Sequence, residues 1–317
     1  MSPAPTPRKG GRRHGSAAWL MLPAFLLLAI VFLGPLLQAV WLSGQASSLL
    51  TGLRPVANGG ANWQRLLGDG RFWQDTAFTL RFALVSVLLE LVLGLAMALL
   101  LHRPGRGGGL LRALALLPWA LPGTVLALGW RWIFQAPYGP LNALIQALGG
   151  QPYGFLTTPA TTWLFAVGAD VWKSTPFVAL LLLAGLQAIP AELEESLRLE
   201  GASRLQILWR LILPLLGPWI RLAVLFRLAQ ALGLFDLVQV LTRGGPAGST
   251  ESLALYAYLQ AMRFLDFGYS ATVVVATFLL LALLTLLGWL VLRRGRGREH
   301  DREQGRPVPP AAAEGAR

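Results

Sequence analysis

The stretch ESLRLEGASRLQILWRLILPLLGP, Glu195–Pro218, stands between two long apolar runs and decides how the rest of the chain is read. Pro190, just upstream, suits the first turn of a helix. Glu192, Glu194 and Glu195 then place carboxylates where a helix N-terminus favours them. Leu193 and Leu197, four residues apart, give that helix one apolar side. Gly201 predicts its end, in the left-handed conformation that closes helices. Ser203 and Gln206 fit the S-x-x-Q capping box of a second helix, expected to run to Leu213 and to stop or kink at Pro214. Pro218 would open the next apolar run. A helix–glycine–helix hairpin set between apolar segments suits docking into a groove on a partner.

Those segments fix the class. Of 317 residues 55% are hydrophobic and only 13% charged, where a soluble domain carries about a quarter charged residues. Six apolar runs can each cross a hydrocarbon core ~30 Å thick: Ala17–Leu42, Thr76–Leu101, Leu110–Phe134, Thr161–Leu186, Trp219–Leu241 and Tyr269–Leu292. The expectation is an all-α integral membrane protein with six transmembrane helices over residues 17–293, the hairpin occupying 188–218. The first run is too long for the apolar core of a signal peptide. Residues 1–16 and 294–317 read as polar, disordered tails. No internal repeat is evident.

The net charge of +12 has a topological cause. Seventeen lysines and arginines fall in the N-terminal tail, the 102–112 and 188–214 segments and the residues after Leu292. Five fall in the 43–75, 135–160 and 242–267 segments. Basic residues mark the cytoplasmic side, so both termini and the hairpin are expected there, in a multi-pass protein of the cell membrane, and nucleic acid is not a partner. In the other loops Trp63, Phe72, Trp73, Tyr256 and Tyr258 read as an interfacial aromatic belt.

Several chemistries are excluded. The chain has no cysteine, and its three histidines lie in polar flanks, so no metal or catalytic residue is expected. No phosphate-binding G-x-x-x-x-G-K-[ST] loop occurs, and neither Lys9 nor Lys173 follows such a glycine run. Energy must come from a separate polypeptide, with no cofactor on this one. Arg81, Glu90, Arg131, Asp170, Lys173, Arg221, Arg227 and Asp236 fall at membrane depth, where ionisable groups face a bundle interior or a water-filled path. Asp170 and Lys173, three apart, are expected to pair.

The hairpin resembles the EAA loop of ABC-importer permeases, E-A-A-x-x-D-G-A followed by a hydrophobic helix with L-P and a later proline. Glu195, Gly201, Ala202, Leu213, Pro214 and Pro218 match in register. Ser196 and Leu197 replace the two alanines, and Glu200 replaces the aspartate. LLPWALPGTVLALGWRWIF, DVWKSTPFVALLLLAGLQAIP, FDLVQVLTRGGP and FLDFGYSA resemble the carbohydrate-uptake branch, that of maltose, trehalose and glycerol-3-phosphate systems. The resemblance covers residues 17–293. It implies a MetI-like six-helix fold and a second permease subunit, making a heterodimer. It also implies an extracytoplasmic solute-binding protein and an ABC ATPase dimer that binds the ATP and docks at Glu195, Glu200, Gly201, Ala202, Leu213 and Pro214.

In the maltose branch, sugar contacts come from three segments that these motifs match. Carried over by motif, they fall on Trp119 and Gly123, on Asp170, Lys173, Ser174 and Phe177, and on Gln230, Ala231 and Leu234. Ala231 and Leu234 stand where that branch has asparagines. The implied function is import of a sugar or sugar-like solute. The rival within the class is glycerol-3-phosphate or another polar solute, drawn by Lys173 and Arg227. Rivals from other classes are a membrane-embedded enzyme, which lacks a nucleophile–base set, and a structural or scaffold membrane protein, with which no ATPase would copurify.

Overall fold

The computed structural model describes residues 22–102 and 108–304, the last helix beyond Leu287 as backbone only. Among the described residues five helices are long and apolar enough to cross a membrane, and one sharply bent pair passes the same test when taken together. The first is α1, Leu22–Ser43. A two-stranded antiparallel hairpin follows, β1 Gln45–Ala46 with β2 Val56–Ala57, then a short α2, Ala61–Gly68. Helix α3, Gly70–His102, packs along α7, Pro159–Gln187. Between them lie α4, Gly108–Ala120, α5, Gly123–Ile133, and the short α6, Pro140–Ala147. The hairpin helix α8, Ala191–Leu199, precedes α9, Arg204–Leu232. Two short helices, α10 Asp236–Leu241 and α11 Leu253–Met262, lead into α12, Phe267–Gln304.

Four expectations are corrected. The third span is not one helix: α4 and α5 meet at an 86° bend across Leu121 and Pro122. Pro122 lacks the N–H that would continue α4, and it stands as the N-cap of α5. The fifth span does not begin at Trp219 or reach Leu241. It starts at Arg204, runs through Pro214 and Pro218, and ends at Gly233, with α10 a separate element. Pro214 is absorbed by a π turn, Leu208–Ile212, in which the Leu213 N–H bonds back to Leu208. A π turn at Ala29–Leu33 stands in the same register to Pro35. The widened turn lies where an α-helical carbonyl would meet the proline ring. Finally, residues 294–304 continue α12 rather than forming an irregular tail, since their arginines and glutamates are good helix formers. The expected tails 1–16 and 305–317, and residues 17–21 of the first span, lie outside the described residues.

Close packing of the spans depends on two glycines. A Cβ on Gly94 of α3 would lie 2.7 Å from Val178 Cγ1 of α7, and one on Gly185 of α7 would lie 2.6 Å from the Trp219 ring of α9. Neither helix could approach so near with a larger residue there.

The loop end of the bundle is folded around one carboxylate. Asp69 caps α3, its Oδ1 accepting from Arg71 N at 2.9 Å and Phe72 N at 3.4 Å. Its Oδ2 accepts the hydroxyls of Tyr256 on α11 and Tyr269 on α12. Around this point Leu66, Phe72, Leu253, Tyr256, Tyr269 and Val273 form a core of their own. Phe72 and Tyr256 are therefore not belt residues: they are 6% and 2% exposed. Asn62 ties in the first span, donating to the carbonyls of Ser43 and Gln45 at 3.2 and 2.9 Å.

Burial pulls the Asp69 carboxyl upward, but the tyrosyl and backbone donors outweigh it, so it titrates below the ordinary 3.8. Tyr256 is pushed up to about 12, first by burial and then by its bond to Asp69. A carboxylate whose folded pKa lies below its unfolded one stabilises fully above the unfolded value, and that contribution is lost as pH falls through the folded value. The melting temperature of the purified protein should therefore fall below about pH 4, and Asp69→Asn should flatten that fall while lowering stability at neutral pH. Equal acid sensitivity in both proteins would remove Asp69 as its source.

Candidate substrate pathway and coupling hairpin

Three ionisable groups from three spans meet at one point. Arg227 of α9 donates from Nε and Nη2 to the two Glu90 oxygens of α3, at 2.5 and 2.7 Å. Its Nη2 also reaches Asp170 Oδ2 of α7 at 2.9 Å, and its Nη1 reaches Gln230 Oε1 at 2.8 Å. Glu90 is fully buried, Arg227 3% and Asp170 8% exposed. The expected Asp170–Lys173 pair is thus corrected: the partner of Asp170 is Arg227, and Lys173 makes no ion pair among the described residues. A rigid guanidinium fork can make these four bonds at once, one more than the three donors of an ammonium allow.

Beside this cluster lies an open face. Trp119, at the end of α4, stacks on Phe177 of α7 with centroids 5.5 Å apart and planes 21° apart. Phe226 of α9 meets Phe177 edge-on at 6.2 Å. Trp119 and Phe226 remain 43% and 48% exposed. Gly123 opens α5 just past the bend, and a Cβ there would lie 2.9 Å from Asp236 Oδ2 and 3.0 Å from Lys173 Nζ. The acid and the ammonium therefore flank Gly123 without reaching ion-pair distance of each other. Gln230 is exposed one turn beyond Phe226 on α9.

The structure thus brings Trp119, Gly123, Lys173, Phe177 and Gln230 to this face. Asp170 and Ser174 are buried behind it. Ala231 and Leu234 are not part of it. Ala231 packs with Ala83, Val87 and Leu232, while Leu234 lies in the main core with Phe78, Phe82 and Val238. Phe226 joins the face unassigned by the sequence, and Asp236 joins it from among the ionisable groups expected at membrane depth. Phe226 carries a legible signal, an aromatic residue four positions before Gln230 and so on its side of the helix.

The hairpin has the expected caps. Gly201 sits at φ 84°. Its N–H bonds to Arg198 O at 3.0 Å and the Ala202 N–H bonds to Leu197 O at 3.0 Å, the paired bonds of a Schellman closure. Ser203 and Gln206 exchange both capping-box bonds, at 2.7 and 3.3 Å. Glu195 and Glu200 are exposed and Ala202 half-buried; Leu213 and Pro214 follow within α9, beyond the π turn.

Residues 90–296 match the family described as binding-protein-dependent transport system inner membrane component. The chain is 38% identical over 287 residues to a trehalose/maltose transport system permease protein of Thermococcus litoralis, covering 90% of this chain and 96% of the relative. The chain belongs to this family of transport permeases. A sulfoquinovosyl glycerol transport system permease protein of Agrobacterium fabrum is 34% identical, across 87% of this permease and 90% of its own length. A chain from the crystal structure of a bacterial ABC transporter involved in import of the acidic polysaccharide alginate shares the fold. Its TM-score is 0.75 at 20% identity, over 88% of this permease and 96% of that chain. The permease is a multi-pass membrane component of an ABC importer and not an enzyme.

Replacing Arg227 by methionine leaves two carboxylates buried against each other. Arg227→Met should destabilise the purified permease by about 3–5 kcal/mol, read as a lowered melting temperature and a reduced amount in membranes. Glu90→Gln/Asp170→Asn/Arg227→Met should recover part of that loss, because no lone charge remains. Wild-type stability in the single variant would show the cluster to be dispensable.

Proposed function

We propose that this permease admits a sugar or sugar-like solute through the face formed by Trp119, Phe177 and Phe226. The observation that carries it is the placement of aromatic rings beside Lys173 and Asp236, which make no ion pair among the described residues, at the break between α4 and α5, with the exposed amide of Gln230 one turn from Phe226. Ring faces stack on the apolar face of a pyranose, and the polar groups match its hydroxyls. The trehalose/maltose relative agrees with this. The anion reading loses a support, since Arg227 is taken up by two carboxylates, and Asp236 stands opposite Lys173.

The hairpin serves as the dock for an ATPase dimer. Leu199, Leu205 and Trp209 are exposed around it at 91%, 63% and 64%, an apolar surface of the kind that seats in a groove. The distribution of basic residues puts this hairpin and both termini in the cytoplasm. A second, different permease subunit completes the pathway, and a solute-binding protein delivers from the other side. Closure of the ATPase pair then moves the helices as rigid bodies and alternates access.

Proteoliposomes holding this permease, its partner permease and the ATPase, with binding protein inside or outside, test both halves. Labelled trehalose, maltose and glycerol-3-phosphate should separate the solute classes. Trp119→Ala and Phe177→Ala should each cut sugar uptake about two- to tenfold, as loss of stacking worth about 0.5–1.5 kcal/mol implies; unchanged uptake in both would sink the assignment. Gly201→Val forces a β-branched residue to φ 84°. It should leave the permease in the membrane while uptake is lost or ATP hydrolysis no longer follows solute. Normal coupled transport would exclude the hairpin as the dock.

A further inference from the structure

We infer that Gln230 turns its amide NH2 to the solute, so that this point of the pathway reads an acceptor oxygen. The inference rests on the pathway reading above and adds a polarity to it.

The reasoning starts from Arg227. A guanidinium has five N–H donors and no acceptor. Four contacts are made here: two to Glu90, one to Asp170, and one, from Nη1, to Gln230 Oε1 at 2.8 Å. An amide at that distance from a guanidinium must turn its oxygen inward, because its NH2 would meet another donor. The amide orientation, often ambiguous, is fixed by this partner. Arg227 is itself held by bidentate bonds to a fully buried Glu90, so the oxygen of Gln230 has a fixed, charged and buried donor. Gln230 is exposed one turn from Phe226 on α9, and its NH2 makes no hydrogen bond among the described residues. Arg227 is thus a positioning residue, acting on the solute through Gln230. Across the face, Asp236 supplies acceptors and Lys173 supplies donors beside Gly123.

The test uses the reconstituted complex with one wild-type binding protein and a set of mono-O-methyl and monodeoxy analogues of the disaccharide it transports. An ether accepts a hydrogen bond and cannot donate one; a hydroxyl does both. In the wild type the oxygen read by Gln230 should be identified by a monodeoxy analogue carried about tenfold more slowly than the parent. Gln230→Met should abolish that discrimination. Gln230→Glu, which presents acceptors only, should keep the parent hydroxyl compound but lose the matching O-methyl ether about tenfold relative to it. The ratio of ether to parent within each protein cancels the bulk of the methyl group and any general loss of folded complex. If Gln230→Met leaves the monodeoxy ranking unchanged, Gln230 is not on the pathway, and both readings fall. If Gln230→Met changes the ranking while Gln230→Glu carries ether and parent in the wild-type ratio, the pathway reading stands and the donor assignment falls.

Discussion

The bundle depends on one guanidinium. In a bilayer no hydrophobic force draws one helix to another, so packing, small residues and polar bonds decide the arrangement. A lone charge in any of these spans would be costly. Glu90, Asp170 and Arg227 remove that cost for one another only where α3, α7 and α9 meet at the same depth, each turned to the same point. Of the glycines that allow contact, Gly94 lies one turn along α3 from Glu90, and Gly185 lies about four turns along α7 from Asp170. The ion cluster fixes depth and rotation, while the glycines let the backbones close around it. Everything placed on those helices inherits that register, including the rings of Phe177 and Phe226 and the amide of Gln230.

Much of this was legible in residue order, and what was not has physical reasons. The hairpin could be read in detail because caps are local: Gly201, Ser203 and Gln206 act within a few residues of themselves. Spans were visible as apolar runs for the same reason. The partner of Asp170 was not, because spacing along one helix offers Lys173 three residues away, while Arg227 lies 57 residues on. Only the fold brings a rigid donor fork to two acids. Apolar continuity hid the bend at Leu121 and Pro122, since both arms are equally greasy. The prolines misled in the opposite direction: Pro214 looked like a stop, but one π turn lets the helix carry on past it.

The loop end shows the same division. Tyr256 and Tyr269 lie 187 and 200 residues from Asp69 in the chain, so the sequence reads Tyr256 as a belt residue. Their convergence on Asp69, which also caps α3, turns an aromatic belt into a small core. The pathway residues divide likewise. Motif correspondence places Ala231 beside Gln230, but a helix turns by about 100° per residue, so neighbours face different ways. Ala231 faces the core and Gln230 the open side.

The uninterrupted run of α9 has a mechanical consequence. Arg204, at the foot of the hairpin, and Gln230 belong to one rod about 40 Å long. The π turn carries the helix past Pro214, so the hairpin arm and the far half belong to one continuous element. Tilting the rod by about 10° around its foot sweeps the far end through about 7 Å, more than the width of one helical turn. Because Arg227 rides on the same rod and grips α3 and α7, such a swing drags all three spans together. The proposed solute face thus lies toward the end of α9 farthest from the hairpin.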